Sequence, residues 1–216
     1  MIESAQGIIL RTRPLTDTSL IVHWLTADLG RLATVAKGAR RPKSAFAGKL
    51  DFAYTADFTF HRSARSELHT LREIALRETH EQLRQQLPAL QQAAYAVAFI
   101  EQCTEPETPL PEIHALFCDW LAWLARITPG PLSLFALELK LLTVLGFQPD
   151  LADSALNPGV RQAAAHLLGA DWSVLSALRL SPAQERDLRQ FLHGYLIYHL
   201  GRLPHGRAAA LGVAGN

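Results

Sequence analysis

Five short stretches of alternating or β-branched apolar residues occupy the first third of the chain. They cover residues 6–13, 18–26, 31–37, 50–60 and 67–72 and are separated by short polar or glycine-containing segments. Period-two alternation and β-branched enrichment are typical of β-strands. Five such strands with tight turns predict a small closed barrel, since closure removes exposed strand edges. A five-stranded OB-type barrel is the natural candidate, although an SH3-like barrel fits the strand count almost as well.

From about residue 75 the apolar positions recur every three or four residues, which is the spacing of amphipathic helices. The predicted helices cover residues 75–87, 88–103, 111–127, 131–145, a segment starting at Pro158, and 182–200. The chain is therefore predicted to be an α+β multidomain protein, with a β-barrel domain over residues 1–74 and an α-helical bundle domain over residues 75–216.

Several predicted helix ends carry capping residues. Gly146 stands where a residue of left-handed conformation ends a helix, and Asn157 stands at the start of the next one. Ser181 and Gln184 have the spacing of a capping box. The last helix is predicted to stop at Gly201, and the tail after it, RLPHGRAAALGVAGN, is predicted to be mobile.

Cations are concentrated in the segment GRLATVAKGARRPKSAFAGK, residues 30–49. Gly38, Pro42 and Gly48 break regular structure there, and the small residues between them let a polyanion backbone come close. A basic loop between two apolar strands favours phosphate contact. The candidate DNA-binding residues of the first domain are Arg11, Arg13, Arg31, Lys37, Arg40, Arg41, Lys43, Lys49, Arg62 and Arg65.

Charge is divided unevenly along the chain. Residues 1–72 hold 11 Lys and Arg against 6 Asp and Glu, whereas residues 73–216 hold 10 against 14, so the formal net charge of +1 conceals a basic first domain. Such asymmetry suggests two units with different partners. Since no helix-turn-helix or zinc-finger pattern is present, nucleic-acid binding is predicted to be largely independent of base sequence.

The fourth predicted strand, LDFAYTADFTF, has its aromatic residues on one face. This face has two interpretations, a platform on which bases stack or part of the barrel core. We favour the core, because alternate residues of a barrel strand must point inward. The residues concerned are Phe52, Tyr54, Phe58 and Phe60.

No catalytic or metal-binding constellation is apparent. H-E-x-x-H, G-x-S-x-G, Walker and dinucleotide patterns are all missing, so we predict a protein that is not an enzyme and needs no cofactor. Cys103 and Cys118 are too few for a disulfide framework or a structural zinc site. Glu105 and Glu107 lie in a proline-rich loop and are expected to be solvated. With no secretory signal and no membrane-length apolar run, we expect a reduced, cytoplasmic protein.

The basic segment and its surroundings also form a recognisable pattern. Its first part is Gly7-Ile-Ile-Leu-Arg11-x-Arg13-Pro, Asp17-x-Ser19-Leu, Leu25-Thr26, Gly30-Arg31 and, above all, Val35-Ala-Lys37-Gly38-Ala39-Arg40-Arg41-x-Lys43-Ser44. Its continuation is Leu71 with Glu73, and then Glu138, Leu141-Leu142, Leu145-Gly146-Phe147 and Pro149. This pattern resembles the bacterial recombination mediator family RecO, well over residues 5–73 and fairly over 131–150.

The resemblance implies an N-terminal OB-fold and a C-terminal helical domain. It also implies binding to single- and double-stranded DNA and annealing of complementary strands in DNA repair and recombination, without catalytic residues or a nucleotide cofactor. The implied partners are RecR and the C-terminal tail of single-stranded-DNA-binding protein, with help in loading the recombinase RecA. The protein is then expected in the cytoplasm, at the nucleoid.

The sequence departs from the family pattern in two places. Many members carry two Cys-x-x-Cys pairs after the Leu-Gly-Phe helix, but here that zinc-ribbon segment is a short loop near residues 150–159 without cysteine. Zinc is therefore not expected, and packing alone must hold the loop. Cations near the central helix are sparse, and Arg126 and Lys140 are the local candidates for binding an acidic partner tail.

The alternative from another class is a protein–protein interaction module, whose basic loop docks an acidic partner rather than DNA. A hydrolase or transferase is a distant third hypothesis, since no set of nucleophile, base and oxyanion donors can be assembled from the sequence. Binding to DNA at low salt, with a steep loss as salt rises, distinguishes the mediator from the interaction module.

Overall fold

The computed structural model describes residues 1–212. This part of the chain divides into two compact units. The first contains residues 1–80 together with 104–115, and the second contains residues 81–103 together with those from 116 onward. A segment that is remote in sequence is therefore built into the N-terminal unit.

Five strands form a closed barrel in the first unit. They are β1 (Ile2–Pro14), β2 (Leu20–Thr26), β3 (Arg31–Ala36), β4 (Thr55–His61) and β5 (Leu68–Glu78). Their order around the barrel is β1, β2, β3, β5 and β4, and β4 pairs again with β1. All neighbours are antiparallel except β3 and β5, which are parallel. This order is that of an OB-fold, so the predicted OB-type barrel is confirmed and the SH3-like alternative is not needed.

The core of the barrel is aromatic. The ring of Trp24 stacks on that of Phe58 with centroids 4.0 Å apart, and Phe58 lies 5.8 Å from Phe60. The indole Nε1 of Trp24 donates a 2.9 Å hydrogen bond to Thr34 Oγ1, which satisfies its polar atom inside the barrel. Burial of each ring stabilises the fold by roughly 1.5–3 kcal/mol. Phe58 and Phe60 are thus core residues, as the favoured interpretation predicts.

The predicted start of the fourth strand is wrong. β4 begins at Thr55 rather than at residue 50, because Ala53 has a φ of 62° that interrupts a continuous strand. Phe52 and Tyr54 therefore lie in the preceding loop and are half-buried. Ala53 itself is buried, and its N–H donates a 2.8 Å hydrogen bond to the carbonyl of Ile9 in β1.

The fifth strand extends beyond its predicted end. β5 continues to Glu78 because its last residues pair with β4, with a register shift between Leu76 and Glu78. The predicted boundary between domains at residue 74 consequently falls inside this strand. Of the polar helix predicted over 75–87, only the single turn α1 (Glu81–Arg84) forms.

The second unit is helical, and its predicted capping residues are confirmed. The helices after α1 are α2 (Leu87–Cys103), α3 (Pro111–Leu124), α4 (Pro131–Val144), α5 (Pro158–Gly169), α6 (Trp172–Leu175), α7 (Pro182–Leu200) and α8 (Arg207–Ala210). The start of α3, up to residue 115, belongs to the first unit. Asn157 Oδ1 accepts a 3.0 Å hydrogen bond from the N–H of Val160, and Ser181 and Gln184 form the reciprocal capping box. Over residues 1–212, no helix has both the length and the apolar character needed to cross a membrane.

The prediction that the tail after Gly201 is mobile is wrong for residues 202–212. α8 forms within it, and Arg207 is 5% exposed against a carboxylate of α4, Glu138, that is 0% exposed. The reason is that α4 buries the charge of Glu138, and the guanidinium of Arg207 in this tail neutralises it. The rest of the predicted tail, residues 213–216, lies outside the described residues.

Candidate nucleic-acid interface

The basic loop after β3 is a succession of turns attached to the β1–β2 connection. The N–H of Arg40 donates a 3.0 Å hydrogen bond to the carbonyl of Thr18, and its guanidinium donates a 3.2 Å bond to the carbonyl of Thr16. Gly38, with a φ of 72°, supplies the left-handed turn that leaves β3. The loop therefore has a defined position on the barrel, and its cationic side chains are exposed. These are Lys37, Arg40, Arg41 and Lys43.

Two predicted cations, Arg11 and Arg13, lie on the outer face of β1 and are exposed. A bulge after Ile9 sets the register that places Arg11 opposite His23 and Arg13 opposite Ile21. Thr12 between them lies opposite Val22, whose side chain is in the barrel core. The alternation of the strand therefore sends both arginines away from the core.

His23 reports the positive potential of this face. Its pKa is lowered to about 4, first by burial and then by the cations Arg11, Arg13 and Arg31. The imidazole is therefore neutral near pH 7. Its buried Nε2 has no hydrogen-bond partner among the described residues. Three predicted candidates thus lie close enough to His23 to lower its pKa beyond the effect of burial.

Two other candidates, Arg31 and Arg62, are engaged inside the first unit. Arg31 donates hydrogen bonds of 2.7 and 2.5 Å to the hydroxyl and carbonyl oxygens of Thr104. Arg62 donates bonds of 2.7 and 2.9 Å to both carboxylate oxygens of Glu3 and a further 2.7 Å bond to Glu107. Both guanidinium groups are half-buried, so much of their capacity to bind a phosphate is already used.

Residues 104–110, here called the clasp, are the element that sequence reasoning missed. The N–H groups of Glu107 and Leu110 donate bonds of 2.8 and 3.0 Å to the carbonyls of Arg31 and Ala27. The clasp also carries Glu107, which is exposed but not simply solvated as predicted. Its Oε1 lies 2.9 Å from Nε2 of the buried His69, although the geometry is not that of a hydrogen bond. No local sequence signal indicates this attachment, since the partners are about seventy positions apart.

The remaining candidates of the first unit differ in exposure. Arg65 is exposed in the β4–β5 turn, where its N–H donates a 3.3 Å bond to Ser63 Oγ. Lys49 is half-buried at the end of the basic loop, and its N–H donates a 3.1 Å bond to the carbonyl of Phe46. The exposed candidate cations are therefore Arg11, Arg13, Lys37, Arg40, Arg41, Lys43 and Arg65.

In the second unit, Lys140 and Arg126 have different environments. Lys140 Nζ donates bonds of 2.8 and 2.9 Å to the carbonyls of Leu168 and Ala170, and lies 5.2 Å from the Trp172 ring centroid. It thus caps the C-terminus of α5, and burial lowers its pKa. Arg126 is exposed just after α3, and its N–H donates to the carbonyl of Trp123.

An apolar cleft of about 520 Å³ lies beside Trp123 and Ile127. Its charged lining residues are Arg179 and Glu185, and Glu185 is paired with Arg189 at 2.7 Å. Arg179 is exposed. The cleft therefore combines apolar side chains with an exposed cation and a paired carboxylate in its lining. Its apolar lining residues are Trp123, Ile127, Pro131, Leu132, Leu175, Leu178 and Leu180.

Metal ligands are not clustered in the described part of the chain, where no three His, Cys, Asp or Glu residues could hold a metal ion together. Burial raises the pKa of Cys103 and of Cys118 to about 11, so both thiols are protonated near pH 7. The shortened loop near residues 150–159 is held by hydrogen bonds. Asp150 Oδ1 accepts a 2.9 Å bond from Ala152, and Arg161 donates a 3.1 Å bond to the carbonyl of Leu156.

Comparisons with known proteins agree over both units. The family model described as Recombination protein O N terminal matches residues 1–80, and that described as Recombination protein O C terminal matches residues 84–157. DNA repair protein RecO of Bacillus pumilus is 29% identical over 94% of this chain and 81% of its own length. The protein of that name from Salinibacter ruber is 28% identical over 89% and 86%. That from Symbiobacterium thermophilum is 36% identical over 69% and 58%. Since the two family models together cover well over half of the chain, this protein belongs to the RecO family.

Proposed function

We propose that this protein is a non-catalytic recombination mediator. It binds single- and double-stranded DNA without reading base sequence, anneals complementary strands, and assists recombinase loading on protein-coated single strands. Membership of the RecO family supports a role in DNA repair and recombination. The observation that carries the DNA-binding step is the attachment of the basic loop to the β1–β2 connection, through Arg40 and the carbonyls of Thr16 and Thr18.

The attachment gives the loop a fixed place beside a second group of cations. β1 ends at Pro14, two residues before Thr16, and carries Arg11 and Arg13 on its outer face. Burial lowers the pKa of His23 first, and the charges of Arg11 and Arg13 lower it further. A polyanion that reaches this face meets cations from a strand and from a loop, and both are exposed.

Phosphate contacts of this kind carry no base specificity. If five or six of the exposed cations each neutralise one phosphate, log K falls with log salt at a slope of roughly −4 to −5. Two strands that are held by such contacts repel each other less, so complementary bases pair without any chemical step. The mechanism therefore requires neither a catalytic residue nor a cofactor.

The partner contacts belong to the second unit in this proposal. The apolar cleft beside Trp123, with Arg179 in its lining and Arg126 next to Ile127, has the chemistry for an acidic peptide tail with apolar anchor residues. We assign it to the tail of single-stranded-DNA-binding protein. Lys140 is the weaker candidate, because it is half-buried and its ammonium caps α5, whereas Arg179 is exposed. RecR and, indirectly, RecA complete the proposed set of partners at the nucleoid.

The experiment that tests the proposal is fluorescence anisotropy of labelled single-stranded and duplex DNA with the full-length protein at several salt concentrations. The expected result is binding at low salt with a linear loss of log K as log salt rises. An annealing assay with complementary oligonucleotides follows. If DNA is not bound at any salt concentration, the basic loop serves an acidic protein partner instead, and the mediator proposal is wrong for this chain.

A further inference from the structure

Aromatic rings line the C-terminal half of α7 in the helical unit. Phe191, Tyr195 and His199 are spaced four residues apart, and their ring centroids lie 5.5 and 4.3 Å from each other along the helix. Phe147, just after α4, approaches His199 at 5.1 Å, and Tyr198 meets the same ring edge-on at 4.9 Å. These five residues form one contiguous group, here called the aromatic ladder.

The aromatic ladder is a surface feature and not part of the core. Tyr198 is 82% exposed, Phe147 is exposed, and the other three residues are half-buried. Ile197 beside the ladder is exposed as well. α7 packs into the unit through a different set of residues, Leu188, Leu192 and Leu196. A single exposed apolar side chain is ordinary, whereas a contiguous exposed group marks a binding surface.

The chain from the middle of α7 onward carries basic and no acidic residues. Residues 188–212 contain no Asp or Glu, but contain three arginines and three histidines. Arg207 is paired with Glu138 and Arg189 with Glu185, whereas Arg202 is exposed just after α7. Two carboxylates lie nearby: Asp150, which after burial contributes to the raised pKa of Tyr195, and Asp187, which lines a small cavity together with Phe191.

We propose that the aromatic ladder is a second nucleic-acid site, on which unpaired bases of a single strand stack while Arg202 neutralises a phosphate. Exposed rings combined with cations are the usual platform for single strands, because every base has a π-face. The proposal rests on the proposed function, since a protein that anneals two strands can use a separate binding site for each strand. A duplex is not a ligand of this site, because its bases are already stacked on each other.

The test uses the full-length protein with Tyr198→Ala, and compares a labelled thymidine oligonucleotide, an abasic strand of equal length and a duplex. Loss of one stacked base lowers affinity for the thymidine strand by about fivefold or more. Affinity for the abasic strand and for the duplex stays unchanged. Tyr198→Phe keeps the ring and is expected to bind as the unaltered protein does. Leu87→Ala is the matched control, since Leu87 is also exposed, at 67%, but is not aromatic.

The measurements are made in the unaltered chain and in a chain with Arg40→Ala and Arg41→Ala, so that the barrel does not mask the second site. Equal thymidine binding with and without the Tyr198 ring, in both backgrounds, overturns the proposal. An equal loss for the abasic strand also overturns it, because stacking is then not the cause. If Tyr198→Ala instead abolishes self-association, the aromatic ladder is a contact between copies. If the unaltered protein binds no DNA, the proposed function fails together with this inference.

Discussion

The guanidinium of Arg207 donates hydrogen bonds of 2.6 and 2.9 Å to the two carboxylate oxygens of Glu138, and both side chains are buried. The hydroxyl of Tyr95 donates a third bond of 2.6 Å to the same carboxylate. Burial, followed by the charge of Glu138, raises the pKa of Tyr95 well above its usual range, so its proton stays available for this bond. The segment after α7 is therefore part of the helical core.

Arg207→Ala is expected to destabilise the protein by about 3–5 kcal/mol, because it leaves the carboxylate of Glu138 buried without its cation. Urea unfolding followed by circular dichroism measures the change. Arg202→Ala is the matched control, since Arg202 is exposed and belongs to the same tail, and its effect is expected to stay within about 0.5 kcal/mol. Equal stabilities for the two variants would show that the ion pair does not stabilise the unit.

Gly30→Ala tests the attachment of the clasp to the barrel. Gly30 has a φ of 66°, and a Cβ there would lie 1.8 Å from the carbonyl oxygen of Thr108. Gly48 has a φ of 70° and open space around it, so Gly48→Ala incurs only the backbone strain of about 1–2 kcal/mol. Gly30→Ala is expected to cost about 1–3 kcal/mol more, because the clasp must move. Thermal unfolding of the two variants gives the difference, and similar melting temperatures would contradict the close packing.

The elements that sequence predicts correctly are those that depend on local pattern. Alternation identifies Phe58 and Phe60 as core residues, and side-chain chemistry over three residues identifies the caps at Asn157 and Ser181. The predicted end of the barrel fails because pairing with β4, and not local propensity, decides how far β5 extends. Local reasoning reaches no further than a few neighbouring residues.

In the candidate site, too, local features could be predicted from sequence and long-range contacts could not. Charge and turn composition identify the basic loop, and the exposed cations there are found from sequence alone. Sequence gives no means of separating Arg31 and Arg62 from the others, because their partners Thr104 and Glu107 lie far along the chain. Arg207 and Glu138 are also far apart in sequence, so their pairing could not be predicted either. Long-range polar contacts carry no periodic signal.

The pKa of His23 provides a probe of the candidate interface that does not require a measurement of DNA affinity. Because folding lowers its pKa from 6.5 to about 4, the unfolded chain binds more protons between these values, and stability falls as pH decreases through this window. Arg13→Gln is expected to raise the pKa of His23 while leaving it below 6.5, since burial is the leading cause. NMR titration of the imidazole measures this. Arg186→Gln, on α7, is the control and is expected to have no effect on His23.

The apolar cleft in the helical unit makes a separate prediction about peptide binding. Arg179→Ala is expected to weaken binding of an acidic peptide with an apolar C-terminus by about fivefold, the effect of losing roughly 1 kcal/mol of charge-assisted hydrogen bonding. Lys140→Ala is expected to lower the melting temperature instead, because Lys140 caps α5. Isothermal titration calorimetry measures the peptide affinity of each variant, and thermal unfolding measures its melting temperature. Unchanged peptide affinity in Arg179→Ala would place the peptide elsewhere.

Removing an exposed arginine of the barrel is expected to affect DNA binding, whereas removing an arginine that is bound to carboxylates is expected to affect stability. Arg40→Ala with Arg41→Ala removes two exposed cations of the basic loop, so the slope of log K against log salt is expected to become less steep by up to about 2. Arg62→Ala removes a guanidinium that is already bound to Glu3 and Glu107. It is expected to leave the slope unchanged and to destabilise the barrel by about 1 kcal/mol, as for a partly exposed ion pair.

Fluorescence anisotropy over a salt series measures the slopes for the unaltered protein, the loop double variant and Arg62→Ala. Urea unfolding measures the stability of the same three proteins. Arg62 has a second, independent signature in acid. Its hydrogen bond lowers the pKa of Glu3, so the ion pair stabilises the fold above the ordinary glutamate pKa of 4.5, and this stabilisation is lost as pH falls further. Arg62→Ala is therefore expected to flatten the acid limb of the stability curve. If Arg62→Ala reduced the salt slope as much as the loop variant does, its guanidinium would exchange its carboxylate partners for phosphate, and the division of the barrel cations into two classes would be wrong.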